Sequence, residues 1–389
     1  MKPTPEQLEI QSLARSFAEG ELRPHAARWD AQRALDDDVF AKLAELGFLG
    51  MTISEEFGGL GFDTTTYLVA LEELAWGDAA VALSVAIHNG PVAFMVDRVG
   101  SAAQKERWLT AMASGEALGA FALSEKEAGS DAGSLRCSAR KEGDGWVLNG
   151  EKVWVTNGDR AGLVLVMARV DGEGGIGAFL VPRDAPGYEV TDRATTLGLR
   201  ASETVRVRLE EVRLTSQGIL GEPGSGMKYA LEALDVGRTG IAAQAVGVAR
   251  AAMEHAVAYA LERKQFGRSL AEFGAVQAKL AGMQSRIATA RAMVRDAALA
   301  VEGAREPAYP RTGPDGLTSR AAVAKLVASE AATWVADEAV QIFGGYGYMR
   351  DYPVEKLLRD AKGAEIYEGT NEIMRHVIAR EVLRAARAT

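Results

Sequence analysis

Cysteine is almost absent: Cys137 is the only one in 389 residues. No disulfide can form within the chain, so a reducing compartment suits it. A lone thiol with no partner base nearby in sequence reads as buried filler. Histidine is nearly as scarce. His25, His88, His255 and His376 lie far apart without ligand spacing, which argues against a metal site. Positive charge is not in excess either. With 44 Lys and Arg against 53 Asp and Glu, the net charge of −9 argues against nucleic acid or an anionic membrane as the main partner. No apolar run is expected to reach the roughly 18–20 residues of a membrane span, so no membrane insertion is expected. A leader peptide is not read at the start. Thr4-Pro5-Glu6-Gln7 looks instead like a capping box opening a helix, with proline at its first position. A cytoplasmic protein is expected, with the mitochondrial matrix as the alternative.

What is present is an ordinary globular composition, 48% apolar and 25% charged, in a chain too long for one core. Residues 1–120 read as helical: Leu8, Ile10, Leu13 and Phe17 fall at roughly helical spacing, as do Phe40, Leu43 and Leu46. Gly58-Gly59-Leu60-Gly61 and Gly90-Pro91 punctuate this region as turns, and Val81–Ile87 reads as a buried helix. Residues 121–230 read as a β domain. Asn149-Gly150 between two apolar segments signals a two-residue hairpin. Val205, Val207 and Leu209 alternate with Arg206, Arg208 and Glu210, as in a sheet with one wet face. Residues 231–389 are helical again. No proline occurs between Pro223 and Pro307, which leaves room for long helices, and Ile241, Ala245, Val248 and Ala252 supply a small-residue packing face. A loop from Glu306 to Gly316 precedes a helix over roughly 319–343. No internal repeat or low-complexity tract is present.

The chemistry concentrates near the end, in Glu365-Ile-Tyr-Glu-Gly-Thr-Asn-Glu372. Ile366 and Tyr367 are expected to draw the backbone into a core, Gly369 permits a positive φ, and Thr370 suits an N-cap with Glu372 in the first turn behind it. Glu368 then stands on a short shaped turn between two helices. A desolvated carboxylate there suits a general base; a solvated one is an ordinary connection. Gly172-Glu-Gly-Gly-Ile-Gly177 fits a dinucleotide fingerprint, but another strand follows it where a helix is required, so it is read as a hairpin loop.

Six motifs in order resemble the acyl-CoA dehydrogenase family. They are Phe121-Ala-Leu-Ser-Glu-Lys-Glu-Ala-Gly-Ser-Asp131, Lys152-Val-Trp-Val-Thr156, Asp235-Val-Gly-Arg238, Arg263-Lys-Gln-Phe-Gly267, Gln341-Ile-Phe-Gly-Gly345 and Tyr367-Glu-Gly-Thr370. The resemblance implies an α+β fold in which two helical domains sandwich a β domain. It assigns FAD to Phe121, Leu123, Ser124, Gly129, Ser130, Trp154, Thr156, Arg263, Phe266, Gln341, Gly344, Gly345, Thr370 and Glu372. Trp154 packs against the flavin and Thr156 bonds near its N5, while Arg263, Phe266 and Gln341 reach the diphosphate half across a subunit interface. It assigns acyl-CoA contacts to Ser130, Asp235, Arg238, Tyr367 and Gly369, and the base to Glu368. The chain looks most similar to the short-chain (butyryl-CoA) branch. It implies removal of the α-proton by Glu368, hydride transfer to FAD, electron-transfer flavoprotein as acceptor, and a homotetramer. Two departures stand out: Lys126 occupies a usual proline position, loosening that turn, and Gly274 occupies a usual glutamine position. An acyl-CoA oxidase using oxygen, or a DNA-associated flavoprotein, would share the motifs; the net charge disfavours the second.

Overall fold

The structure, a computed structural model, describes residues 3–172, 175–306 and 308–388. Seven helices come first: α1 (Pro5–Phe17), α2 (Ala26–Gln32), α3 (Val39–Glu45), α4 (Thr64–Gly77), α5 (Ala79–Ile87), α6 (Ala93–Val99) and α7 (Ala102–Ala113). The expected capping box is present: Gln7 N–H donates to Thr4 Oγ1 at 3.1 Å, and the Gln7 side chain accepts from Thr4 N–H. Gly90-Pro91 is no open turn. It sits in a short π-type turn, His88–Val92, that kinks one helical run into α5 and α6. That run, Ala79–Val99, is long and apolar enough by composition to cross a membrane, contrary to the sequence reading. Its apolar surface is spent inside the protein core, where nearly all of it is buried.

Eight strands follow: β1 (Gly119–Ala122), β2 (Ser138–Glu142), β3 (Gly145–Val155), β4 (Leu163–Val170), β5 (Ile176–Pro182), β6 (Tyr188–Arg193), β7 (Val205–Leu214) and β8 (Ile219–Leu220). They form one sheet in the order β6-β7-β3-β2-β4-β5-β8, with β1 paired parallel to β4. The β7 alternation is as read: Val205, Val207 and Leu209 are buried, and Arg206, Arg208 and Glu210 are exposed. The Asn149-Gly150 hairpin is not there. The reversal lies at Gly143-Asp144, between paired Glu142 and Gly145, and Asn149-Gly150 runs on inside β3, opposite a bulge that Glu210 and Glu211 make in β7. Asn149 spends its side chain on Glu211 across the pair instead of on a turn: its Oδ1 accepts from the Glu211 N–H and its Nδ2 donates to the carboxylate. A β-ladder on both sides of β3 outweighs the local turn preference. The glycine-rich loop does join antiparallel β4 and β5, as a hairpin should; Glu173 and Gly174 in it lie outside the described residues.

The last part is a bundle of α8 (Gly226–Glu262), α9 (Gly274–Gly303), α10 (Leu317–Phe343), α11 (Val354–Ala364) and α12 (Asn371–Ala388). A two-stranded ribbon, β9 (Lys264–Gln265) and β10 (Arg268–Ser269), links α8 to α9. Pro307, in the loop before α10, lies outside the described residues. Small residues let α8 lie close on α4: a Cβ at Gly247 would stand 2.4 Å from the Glu72 carbonyl oxygen. Charge then pins the contact. Arg250 of α8 donates to Glu72 (2.8 Å) and Glu73 (2.7 Å), and Arg291 of α9 reaches Glu72 at 2.6 Å. Fully desolvated carboxylates would be costly alone; paired, they fix register between the first helices and the bundle. One continuous core therefore joins the N-terminal helices to the bundle, and the sheet keeps its own.

Candidate active site

Glu368 sits on the turn between α11 and α12, at φ +54°, and Gly369 follows at φ +93°. Two consecutive left-handed residues reverse the chain sharply, and a non-glycine there carries strain of order 1 kcal/mol. Four anchors maintain it. Ile373 N–H bonds Thr370 Oγ1 at 3.3 Å, the expected cap. Asn371 N–H closes the loop onto the Glu365 carbonyl at 2.9 Å. Tyr367 O–H donates to Gln244 Oε1 of α8 (2.8 Å), whose Nε2 in turn donates to the Ala79 carbonyl (2.7 Å). Lys325 of α10 donates to the Gly369 carbonyl at 2.7 Å. Ile366 does not help: its side chain is exposed, so Tyr367 alone draws the turn inward. The supporting helix is fixed in turn by buried Lys356 of α11, which binds Asp78 (2.9 Å) and Asp360 (2.7 Å).

The Glu368 carboxylate is shielded, and its Oε2 has no hydrogen-bond partner among the described residues. Burial pushes its pKa up to about 7, against opposing pulls from Arg238 and Lys325. Its backbone N–H also makes no hydrogen bond among the described residues, so a donor is available beside the base. The carboxylate faces Gly237 of α8, where a Cβ would fall 2.8 Å from Oε2. One residue on, Arg238 is buried, not the surface ion pair that helix spacing alone permits. It bonds Asp235 at 2.7 Å, Thr318 Oγ1 caps the same carboxylate at 2.7 Å, and Arg238 Nε reaches the Glu368 carbonyl at 3.4 Å.

A second group gathers at the β1–β2 turn and the end of β3. Phe121, Leu123, Ser124 and Thr156 are half-buried, and Gly129 and Ser130 are exposed. Trp154 is 62% exposed and at φ +58°, on a bulge before β3 ends at Val155. Val153 and Val155 are buried on either side of exposed Trp154, and Thr156 lies beyond the strand, so strand alternation does not place it beside Trp154. A Cβ on Gly129 would lie 3.8 Å from the Trp154 ring, which joins the turn to the indole. Lys126 does not loosen this turn: Glu125 and Ala128 exchange backbone hydrogen bonds at 3.1 Å. Buried Lys152 adds bonds to the Leu123 carbonyl (3.0 Å) and Glu125 (2.7 Å).

A third group lies at the far end of α8. Arg263 stacks its guanidinium over the Tyr346 ring at 5.4 Å, which brings it beside Gln341, Gly344 and Gly345 at the end of α10. Phe266 is 94% exposed at φ +51°. Gly344 and Gly345 have open space where a side chain would stand, as does Gly274 at the start of α9. Glu372 is exposed in the first turn of α12. An open indole beside hydroxyls fits a flat heteroaromatic ring, and a half-buried guanidinium beside bare glycine backbone fits a diphosphate. Both halves of FAD are therefore matched in chemistry, at two separate places.

Family models for the acyl-CoA dehydrogenase N-terminal, middle and C-terminal domains match residues 4–116, 120–212 and 224–383. The chain belongs to the acyl-CoA dehydrogenase family. It is 41% identical over 386 residues to the mitochondrial short-chain specific acyl-CoA dehydrogenase of Rattus norvegicus, covering 97% of this chain and 90% of that protein. The butyryl-CoA dehydrogenase structure from Megasphaera elsdenii superposes with a TM-score of 0.93 at 38% identity, covering 98% of each chain. A chain from work on the electron transferring flavoprotein of Acidaminococcus fermentans gives the same values. This acyl-CoA dehydrogenase is an oxidoreductase, and FAD is its cofactor.

Sequence reasoning missed Gln244, Lys325, Asn371, Lys152 and Glu125, all of which support the site from behind. A signal existed for two of them. Gln244 stands among Ala242, Ala243 and Ala245, and Lys325 among Ala322, Ala324 and Ala328. A polar side chain on an alanine face must find a specific partner.

Proposed function

We propose that this dehydrogenase converts a short-chain acyl-CoA to the trans-2-enoyl-CoA, with Glu368 as the base. The observation that carries the reading is the unpartnered Glu368 carboxylate beside a free backbone N–H and a bare Gly237. The thioester carbonyl oxygen accepts from the Glu368 N–H, which stabilises charge developing on the α-carbon. Glu368 takes the α-proton as the β-carbon releases hydride, so two C–H bonds break and one C=C forms. Bound FAD supplies the acceptor for that hydride. A carboxyl with pKa near 7 is matched to taking a proton at neutral pH. Arg238 counters its burial, so part of it stays ionised.

Short chains are favoured by the helix face beyond Gly237. Tyr67, Leu71 and Ala86 surround Gly240, and Gln244, one turn further along α8, bonds Tyr367. Electron-transfer flavoprotein is the proposed acceptor. The free, buried Cys137 thiol, pushed up to about 11 by burial, accords with a reducing, cytoplasmic setting. A homotetramer, the assembly the resemblance implies, is proposed, and distance argues for at least one partner copy. Roughly 40 Å of helix separates Gly237 from Arg263 at 1.5 Å per residue. Arg263 therefore serves a cofactor bound at another copy's Glu368.

Turnover on acyl-CoA thioesters of graded length, with oxygen or electron-transfer flavoprotein as acceptor, tests substrate and acceptor together. Glu368→Gln is expected to lose at least about 100-fold in turnover while binding FAD and acyl-CoA. The double change Gly237→Glu with Glu368→Gly, which clears the 2.8 Å conflict, is expected to recover part of it. Near-normal turnover in Glu368→Gln would place the base elsewhere.

A further inference from the structure

Lys325 is a fully buried lysine in the middle of α10 that the reaction as described does not use. Its Nζ donates to two acceptors behind the turn, the Gly369 carbonyl at 2.7 Å and Asn371 Oδ1 at 3.0 Å. Ser329, one turn along α10, donates to the same Asn371 oxygen at 3.1 Å. The turn is thus gripped from two helices. Arg238 of α8 approaches the carbonyl of Glu368, and Lys325 of α10 takes the carbonyl of the next residue. An ordinary core position among Ala321, Ala322, Ala324 and Ala328 would hold an aliphatic side chain; a buried ammonium there needs a reason.

We propose that Lys325 is the positioning residue of the base: it holds the Glu368–Gly369 turn from behind, and its charge keeps the Glu368 carboxylate ionised.

The charged groups facing Lys325 are Glu368 and Glu365 on the turn, Arg238 on α8 and Glu372 on α12. Arg238 is bonded to Asp235 at 2.7 Å, so Lys325 is the facing cation without a carboxylate bonded to it; both cations pull the Glu368 carboxyl down, Arg238 the more strongly. Burial holds the Lys325 ammonium down to about 7, with Glu368 the largest opposing influence, and Glu368 itself lies at about 7. The two therefore titrate as a pair, each favouring the charged form of the other. The hydrogen bond to the Gly369 carbonyl survives in either state of the amine, so position and charge are separable contributions. The inference rests on the reading of Glu368 as the base for its kinetic consequence, but the effect on the Glu368 carboxyl does not.

The test uses holoenzyme and two variants. Lys325→Met removes both charge and hydrogen bond; Lys325→Gln removes the charge and keeps a donor for the Gly369 carbonyl. In both, the acid limb of the kcat/KM profile is expected to move up by about 0.5–1 pH unit, with KM for acyl-CoA and FAD content unchanged. At pH 7 Lys325→Gln should lose roughly 2–6-fold in kcat, the range that such a shift produces for a group titrating near 7, and recover by pH 9. Lys325→Met should keep a residual deficit at pH 9 from the loosened turn. An infrared titration of the protonated Glu368 carboxyl, its band identified by its absence in Glu368→Gln, should show the same upward shift. That band reports on Glu368 whether or not it is the base, so failure of the catalytic reading would leave kinetics and infrared in disagreement. If Lys325→Met does not fold, Lys325→Gln carries the test. A pH-independent loss, or an unmoved carboxyl band in Lys325→Gln, overturns the proposal.

Discussion

At the scale of the residue, Glu368 is a conflict between stability and chemistry. A carboxyl whose folded pKa of about 7 exceeds its ordinary 4.5 binds a proton in the folded state that the unfolded chain has already released. Stability from that proton is present below about 4.5 and lost as pH rises through 7. Two and a half pH units correspond to up to about 3 kcal/mol. Glu368→Gln has no such proton to lose. Its stability relative to the parent is expected to rise by up to about 3 kcal/mol between pH 4.5 and pH 8, measured by denaturant unfolding at each pH. A difference that did not change with pH would mean that the carboxyl is not held protonated by burial. The kinetic counterpart runs the same way. Because only the ionised form accepts a proton, kcat/KM should climb with pH through about 7.

At the scale of the element, the β1–β2 turn and the end of β3 are held by one buried ion pair. Lys152 is wholly buried, and Glu125 accepts from it at 2.7 Å and from Cys137 N–H at 2.9 Å. The bulge that opens Trp154 to the outside therefore stands on a charged anchor inside. Lys152→Met leaves Glu125 buried with only backbone donors, at an expected cost of about 3–5 kcal/mol in unfolding free energy. Weaker FAD retention should accompany it, since the Ser124 carbonyl and Val153 N–H bond at 2.9 Å across that anchor. Equilibrium unfolding and FAD absorbance after gel filtration measure the two. Full stability in Lys152→Met would show that the pair is not structural. Part of this was legible beforehand: the Trp-x-Thr spacing and the glycine turn are in the sequence. The bulges were not. They arise in the pairing of β3 with β7, a partner not visible from β3's own residues.

At the scale of the whole molecule, the long α8 separates two chemistries that one cofactor must join. Glu368 lies against Gly237 in its first third, and Arg263 and Phe266 lie beyond its end. If a second copy closes that gap, FAD binding and assembly are coupled. Arg263→Ala is expected to lose FAD on dilution at least about tenfold more readily than the parent, and to shift the assembly towards smaller species when FAD is stripped. Sedimentation of holo and stripped protein, with flavin absorbance as a second channel, reads both. Unchanged FAD affinity would mean that Arg263 touches no cofactor.

By itself the sequence determined what periodicity and local chemistry determine. The helix–sheet–helix order, the long proline-free α8, the Thr4 capping box and the Thr370 cap each depend on residues within a few positions of one another. So does the glutamate at a glycine turn, Glu368–Gly369, because a left-handed reversal is written in adjacent residues. Tertiary structure decided the rest: that Ala79–Val99 is spent in a core, that Asn149-Gly150 runs on through a strand instead of turning, that Ile366 faces out, and that Lys325 and Gln244 reach the site from 43 and 124 residues upstream of Glu368. Burial and pairing are properties of what lies opposite. A carboxylate becomes a base near neutral pH only when distant helices remove its water and leave one of its oxygens without a partner.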